Sequence, residues 1–311
     1  MKKITVVIFF LIIFLNRNSY SQNTYEFLNV DMSPRAGALG GSFVSNGDDP
    51  NVIFYNPAGL NLLQGNPASI SYVKHLLDIN FASVAFSTNL AAIGRMGAAI
   101  QYVNYGSFDG ADDNGQKTGP FSAGEAALIL GYANNLDTNF YYGVNLKLIY
   151  SNIANRNSDA LAFDAGLHYA FPKENADIGF AILNVGTQLK SYYTTKENLP
   201  LDVVFGVSKS LAHLPLRLSL DFHELNEKHN NFATTFRAFS IGAEFTLSKV
   251  LKLRFGYDNQ KRQDWQIGST PGIAGFNIGL GLHIAGYQFD YGYSSLGLAG
   301  GLQRIGISTN I

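Results

Sequence analysis

The sequence predicts an all-β fold: a transmembrane antiparallel β-barrel of about 14 strands, with an N-terminal hatch segment folded into its lumen. Three observations carry that expectation. The chain opens like an exported protein, its composition is poor in charge and rich in aromatics, and from about Ala68 onward polarity alternates residue by residue.

The first element is the leader. Lys2 and Lys3 precede an apolar stretch from Ile4 to Leu15, broken only by Thr5. Ser19 and Ser21 then supply small residues at the third and first positions before Gln22. That is the layout of a cleaved secretory signal peptide over 1–21. A spanning helix needs ~20 apolar residues, and this stretch has about a dozen, so an uncleaved anchor is the weaker reading. The chain has no Cys, which excludes lipid attachment at a cysteine and excludes disulfides.

Composition narrows the mature part. It is 13% aromatic and only 14% charged, where soluble domains average nearer ~25% charged. An exported chain of this kind needs somewhere to place apolar surface, and a barrel whose outer face meets lipid provides it. The net charge of −1 leaves no electrostatic footprint for nucleic acid.

Next comes 22–66, Gly-rich and without alternation. It holds Arg35-Ala36-Gly37-Ala38-Leu39-Gly40-Gly41 and Phe54-Tyr55-Asn56-Pro57-Ala58-Gly59-Leu60, whose Asn-Pro step and glycines mark tight turns. A barrel of about fourteen strands encloses more volume than an eight-stranded one, whose side chains fill the interior. The expectation is that this segment fills the space and docks on lumenal charges. A periplasmic tail is the competing reading, and it would leave the segment's aromatics uncovered.

The barrel occupies 67–311. Strands are expected near 68–75, 79–88, 95–104, 121–133, 140–150, 160–171, 177–186, 201–209, 216–223, 237–247, 251–258, 274–284, 286–293 and 302–311. In 141–150, Tyr142, Val144, Leu146, Leu148 and Tyr150 oppose Tyr141, Gly143, Asn145 and Lys147. In 287–293, Tyr287, Phe289, Tyr291 and Tyr293 oppose Gln288, Asp290 and Gly292. One face suits lipid and the other a lumen. Apart from the first, the gaps after odd strands are long (105–120, 151–159, 187–200, 224–236, 259–273, 294–301) and those after even strands are short. Long outer loops and tight periplasmic turns are the pattern of outer-membrane barrels, and a soluble β-sandwich has no reason to show it.

No nucleophile elbow, phosphate-binding loop or His-Glu-x-x-His helix is present, so no enzyme and no cofactor are expected. The six histidines are scattered, with His168, His223 and His283 on the presumed lumenal face, where solvation or ion pairing outweighs metal ligation. The lumenal charges are Glu125, Lys147, Asp164, Arg217, Asp221, Glu244, Arg254, Asp290 and Arg304. Both signs occur, which points to mutual ion pairs in a closed barrel, where a selective pore would carry a ring of one sign. Asp109, Asp112 and Asp113 sit in the first long loop, as an acidic turn or as ligands for Ca²⁺. Tyr192, Tyr193 and Trp265 fall in long loops, as partner anchors or as part of an interfacial girdle.

The stretch Arg35–Leu60 resembles the hatch region of FadL-like barrels, whose mark is an Asn-Pro-Ala element before the first strand, here Asn56-Pro57-Ala58 followed by Gly59-Leu60. More closely, the chain resembles the PorV/PorQ family of the type IX secretion system. The resemblance rests on Tyr25–Asn29, Gln101–Gly106 with Phe108-Asp109-Gly110, Leu199–Asp202, Ser208–His213, Gly272–Phe276, Leu298–Gly301 and Ile307–Asn310. The short loops sit with its PorQ branch. Ile311 departs from the aromatic residue that ends many such barrels. The resemblance implies a Bacteroidetes-like outer membrane. It also implies a role in holding a PorZ-like surface protein within the attachment complex that links secreted cargo to lipopolysaccharide. The alternative is a FadL-like channel for hydrophobic small molecules. The two share a fold, so fold alone does not separate them.

Overall fold

A computed structural model describes residues 23–91, 93–227, 232–265 and 272–311. The leader expected over 1–21 and His229 lie outside the described residues. The strands are β1 (Pro67–Lys74), β2 (Asn80–Leu90), β3 (Gly94–Ala111), β4 (Lys117–Asp137), β5 (Phe140–Ile153), β6 (Arg156–Phe171) and β7 (Ala176–Lys190). They continue with β8 (Asp202–Ser210), β9 (Leu216–Phe222), β10 (Phe239–Thr246), β11 (Leu251–Asp258), β12 (Phe276–Ile284), β13 (Tyr287–Ser295) and β14 (Gly301–Asn310). Each pairs antiparallel with its neighbours in sequence, and β1 also pairs with β14, which closes a fourteen-stranded barrel.

Why the sheet closes in this sense follows from the alternation. Ile70, Val84, Ile100, Leu128, Leu148 and Phe163 on β1–β6, and Phe205, Leu218, Ile241, Phe255, Ile278, Phe289 and Ile305 on β8–β14, are all exposed. Soluble monomers rarely expose contiguous apolar patches above a few hundred Å². A belt running round the barrel belongs against lipid. No described helix is long and apolar enough to cross a membrane, so any crossing is made by the strands.

Two expected loops are strand instead. The gap 105–120 is mostly the β3–β4 hairpin, and the gap 151–159 shrinks to the turn between Ile153 and Arg156. The reason is physical. Beyond Asn104↔Asn80 on one side and Ala123↔Ile153 on the other, β3 and β4 pair only with each other. With no lipid-facing side, that ribbon carries Gly, Asp, Ser and Thr and has no apolar alternation to read.

Candidate functional site

The segment before β1 runs through the lumen. Asn23 bridges Asn198 in the β7–β8 connection, at the long-loop end. At the other end the Asn66 N–H donates to Asn310 Oδ1 at 2.6 Å, and the Ile311 N–H donates to the Asn66 carbonyl. In between lie helix α1 (Pro34–Ala38) and the 3-10 turns Pro50–Phe54 and Pro57–Leu62.

Helix α1 and the turns at Pro50 and Pro57 each begin on a side-chain cap and a proline; the 3-10 turn Glu26–Asn29 ahead of them has neither. Ser33 accepts from the Ala36 N–H, Asp49 from Asn51 and Asn56 from Ala58, and each is followed by Pro. Gly40 and Gly41 have φ of 72° and 86°, and the Gly41 N–H donates to the Ala36 carbonyl, so they end α1 in a conformation that glycine alone adopts freely. Asn56 is fully buried, and its Nδ2 donates to the carbonyls of Val44 at 2.8 Å and Leu167 at 3.0 Å. The Asn56-Pro57-Ala58-Gly59 element thus ties the segment to itself and to β6. A Cβ on Gly59 would stand 2.8 Å from the Asn46 carbonyl oxygen.

Inward-facing glycines make the room. Five cross-strand pairs circle the wall: Gly97 with Gly131, Gly143 with Gly166, Gly179 with Gly206, Gly242 with Gly256, and Gly279 with Gly292. A Cβ on Gly143 would lie 2.3 Å from Pro57 C, on Gly179 2.2 Å from Val44 O, and on Gly256 2.3 Å from Gly40 N. Backbone meets backbone there, at distances no side chain tolerates. The alternation leaves this signal in the sequence, as glycine recurring on the inward register.

The predicted lumenal charges all point inward, yet not all pair with one another. Glu244 accepts from Arg35 at 2.8 Å, from Arg254 at 2.7 Å and from Lys252 at 3.2 Å, and Arg254 also meets Asp290 at 2.5 Å. Arg35 forks onto Asp48 as well, at 2.9 and 3.1 Å. The Asp48 side chain is half exposed, and Arg35, with Arg217 beyond it, holds its carboxyl down at about 2. Lys147 pairs with Asp164 at 2.9 Å, and Arg217 with Asp177 at 3.2 Å. The expectation of mutual ion pairs needs correcting at three positions. Arg304 donates to the Asp31 carbonyl and Ser294, Asp221 accepts the N–H groups of Phe43 and Val44, and Glu125 accepts the Tyr105 hydroxyl. The inserted segment competes for lumenal charge with its own backbone groups, which no strand pattern reveals.

The long-loop end is also filled. Tyr25 bonds Ser158, Gln188 donates to Ser158, and the Tyr192 hydroxyl donates to Ser151. Tyr192 is therefore turned inward, against the expectation of an exposed anchor, because the β7–β8 connection folds over the barrel mouth. Tyr193 stays 70% exposed beneath the Arg156 guanidinium, and Trp265 is partly buried at the end of helix α2 (Asn259–Asp264). Lys261 of α2 reaches Asp31 at 2.8 Å, a link the sequence reading missed. Asp109 pairs with Lys117, Asp112 caps its own turn by accepting from Asn114 and Gln116, and Asp113 is exposed. Among the described residues no three His, Cys, Asp or Glu side chains converge as a metal site requires.

A cavity of about 70 Å³ lies between the segment and the wall at β7–β9, lined by Leu28, Val30, Asp31, Val44, Phe54, Tyr55, Leu183, Asp202, Val204, Asp221 and His223 among others. The wall is irregular there. The β6–β7 register shifts between Phe163 and Ala165, and Asn184 takes φ 61° in the extra residue of β7. Pairing of β7 with β8 stops at Leu183↔Asp202. Above it the edge of β7 is met by the β7–β8 connection, with Asn184 Nδ2 donating to the Pro200 carbonyl at 3.0 Å.

No family model and no curated protein matches the chain. Solved structures do. The chain is similar to the Ralstonia pickettii toluene transporter TbuX at 14% identity and a TM-score of 0.60, over 90% of this chain and 98% of that one. It is similar to the Pseudomonas putida toluene transporter TodX at 14% identity and a TM-score of 0.58, over 90% and 99%. A Pseudomonas aeruginosa FadL homologue gives 12% identity and a TM-score of 0.53, over 94% and 99%. By fold, the chain is a closed fourteen-stranded FadL-like barrel.

Proposed function

We propose that the chain is a Gram-negative outer-membrane barrel that admits small, largely apolar molecules past an N-terminal plug, residues 22–66. The observation that carries this reading is the cavity between the plug and the wall, set beside the one-residue bulge in β7 where strand pairing stops. Ligand sites are concave, mainly apolar and furnished with a few placed polar groups, as this one is. The similarity in fold to toluene transporters supports the same reading. The test is uptake of labelled toluene by cells that lack an uptake barrel of their own. Expression of the chain should raise uptake, and Asn56→Ala with Pro57→Ala, which loosens the plug's tie to Val44 and Leu167, should alter it. Uptake equal to that of empty-vector cells at every concentration rejects the proposal.

A second reading has its own observation. The β3–β4 ribbon stands beyond its neighbours with Phe108 stacked on Phe121 at 5.3 Å, and Tyr193 is exposed nearby in sequence to the inward Tyr192. Together with the filled mouth, this suits a barrel that anchors a PorZ-like surface protein of the type IX attachment complex beside lipopolysaccharide. Mild-detergent capture from the native outer membrane tests it: a stoichiometric surface protein, lost when 105–122 is shortened, supports anchoring. A barrel that elutes alone rejects it.

A further inference from the structure

The contacts of the inserted segment fall into two classes of separation along the chain. Toward β1–β6 the separations are the smaller ones. Ser69 Oγ donates to Asn51 Oδ1 across 18 positions, and Arg95 to the Leu63 carbonyl across 32. Asn145 donates to the Ile53 carbonyl across 92, and Asn56 to the Leu167 carbonyl across 111. The apolar packing of Val52, Ile53 and Leu60 lies on this side too, against Ala85, Ala99, Ile129 and Ala133. Toward β10–β14 the contacts are remote. Arg35 donates to Glu244 across 209 positions, the Asn66 N–H to Asn310 across 244, and Arg304 to the Asp31 carbonyl across 273. Closing a chain loop costs more entropy as the separation grows, so near contacts form before remote ones.

The seam of the barrel lies on the remote side, where β14 pairs with β1 from Pro67↔Asn310 to Lys74↔Gln303. A slip of one residue would turn Arg304 out to lipid and Ile305 into the lumen. Helix α1 holds the register that closes. Arg304 Nε donates to the Asp31 carbonyl at 2.8 Å, just ahead of α1. Gly37 leaves room for the guanidinium, since a Cβ there would stand 2.6 Å from Arg304 Nε. Pro34 lies against both closing strands: a Cβ on Gly292 of β13 would stand 2.5 Å from the Pro34 carbonyl oxygen, and one on Gly306 of β14 2.9 Å from Pro34 Cγ. The segment also runs the height of the barrel, with the Thr24 N–H on the Asn198 carbonyl at the long-loop end and Asn66 on Asn310 at the other. Phe27, Met32, Phe43 and Ile53 are fully buried between those ends.

We infer that the inserted segment is the template on which the barrel closes. It docks on β1–β6 first, and α1 then brings β13 and β14 into register with β1. The wall wraps around a segment already in place, and the segment does not thread a finished ring.

A cap on the long-loop end of the segment tells wrapping from threading. The chain has no Cys, so Gln22→Cys gives one site for biotin, which is then bound by streptavidin, a folded tetramer too wide to pass the lumen. Capped and uncapped chains are refolded from urea into detergent, where both ends of the barrel are open to solvent. Both should give a heat-modifiable barrel with 23–66 protected from protease, at rates within about twofold of each other. A capped barrel whose segment stays open to protease overturns the inference, as does failure of the capped chain alone to form a barrel. The order of events is read with Ile70→Cys and Ile307→Cys, which face each other across the seam. Oxidant added at intervals during refolding should trap the seam only after 50–62 has become protected. A seam disulfide in chains still cleaved at 50–62 overturns the inference. Gly37→Val crowds Arg304 and leaves the wall residues unaltered, so it should delay the seam and leave protection of 50–62 unchanged. An unchanged seam rate in that variant overturns the guiding role of α1.

Discussion

On the β1–β6 side of the lumen, the 3-10 turns Pro50–Phe54 and Pro57–Leu62 bury Val52, Ile53 and Leu60 against Ala85, Ala99, Ile129 and Ala133. On the β10–β14 side, α1 presents Arg35 to Glu244, and Arg254, Asp290 and Arg304 extend the polar contacts. The same inserted segment is therefore held by a hydrophobic core on one wall and by desolvated charge on the other. The first kind of contact is non-directional and tolerates repacking. The second fixes position, because each buried charge must keep its partner. One wall supplies adhesion and the other supplies register.

That difference can be broken or sharpened, beginning with the largest expected effect. Glu244→Ala takes the shared carboxylate from Arg35 and Arg254 and leaves each a single carboxylate partner, Asp48 or Asp290; a wholly broken buried pair costs about 3–5 kcal/mol, which bounds the loss from above. Protease should then cleave near Arg35 in the assembled barrel while 50–62 stays protected. Protection of both stretches would show that the charged wall does not set register. Leu60→Ala, on the opposite wall, should cost about 2–5 kcal/mol by leaving a cavity, and should expose 50–62 in preference to α1 under the same digestion.

Next come the glycines. Gly143→Ala and Gly256→Ala each place a methyl about 2.3 Å from the backbone of the inserted segment, so the segment must shift on that wall alone, at about 1–3 kcal/mol or more. Heat-modifiable gel mobility, with proteolysis to localise the change, distinguishes the two variants. A neutral result would mean that the segment sits less deeply than its contacts imply.

The smallest effects are electrostatic and exposed. The half-exposed Asp48 is held at about 2 by Arg35 and Arg217. A depressed carboxyl contributes its stability fully above the unfolded value of about 3.9, and loses it as pH falls through about 2. Proteolysis at α1 should thus be constant from pH ~8 to ~5 and rise only below pH ~4, with the apolar wall unmoved. Lys117 and Asp109 are 82% and 78% exposed, so Asp109→Asn should change stability by less than about 1 kcal/mol in a thermal scan.

Much of this was legible before any coordinates. Alternation marked Lys147, Asp164, Glu244 and Arg254 as inward and Phe255 and Phe289 as outward, because a strand's period of two leaves no other choice. It failed at the β3–β4 ribbon, where both faces meet water, and at Tyr192, where a loop folds back over the mouth. The inward glycines were in plain view as residues, but their pairing into a girdle needed the register.

By itself the sequence determined the kind of wall, its strand number and which side chains face lipid, since those follow from local periodicity and from the cost of exposing apolar surface. Which lumenal charge meets which, and how 23–66 threads the barrel, were decided only in the tertiary structure. The physical reason is closure: a ring of fourteen strands brings residues far apart in sequence, such as Arg35 and Glu244, within 2.8 Å, and separation along the chain carries no trace of it.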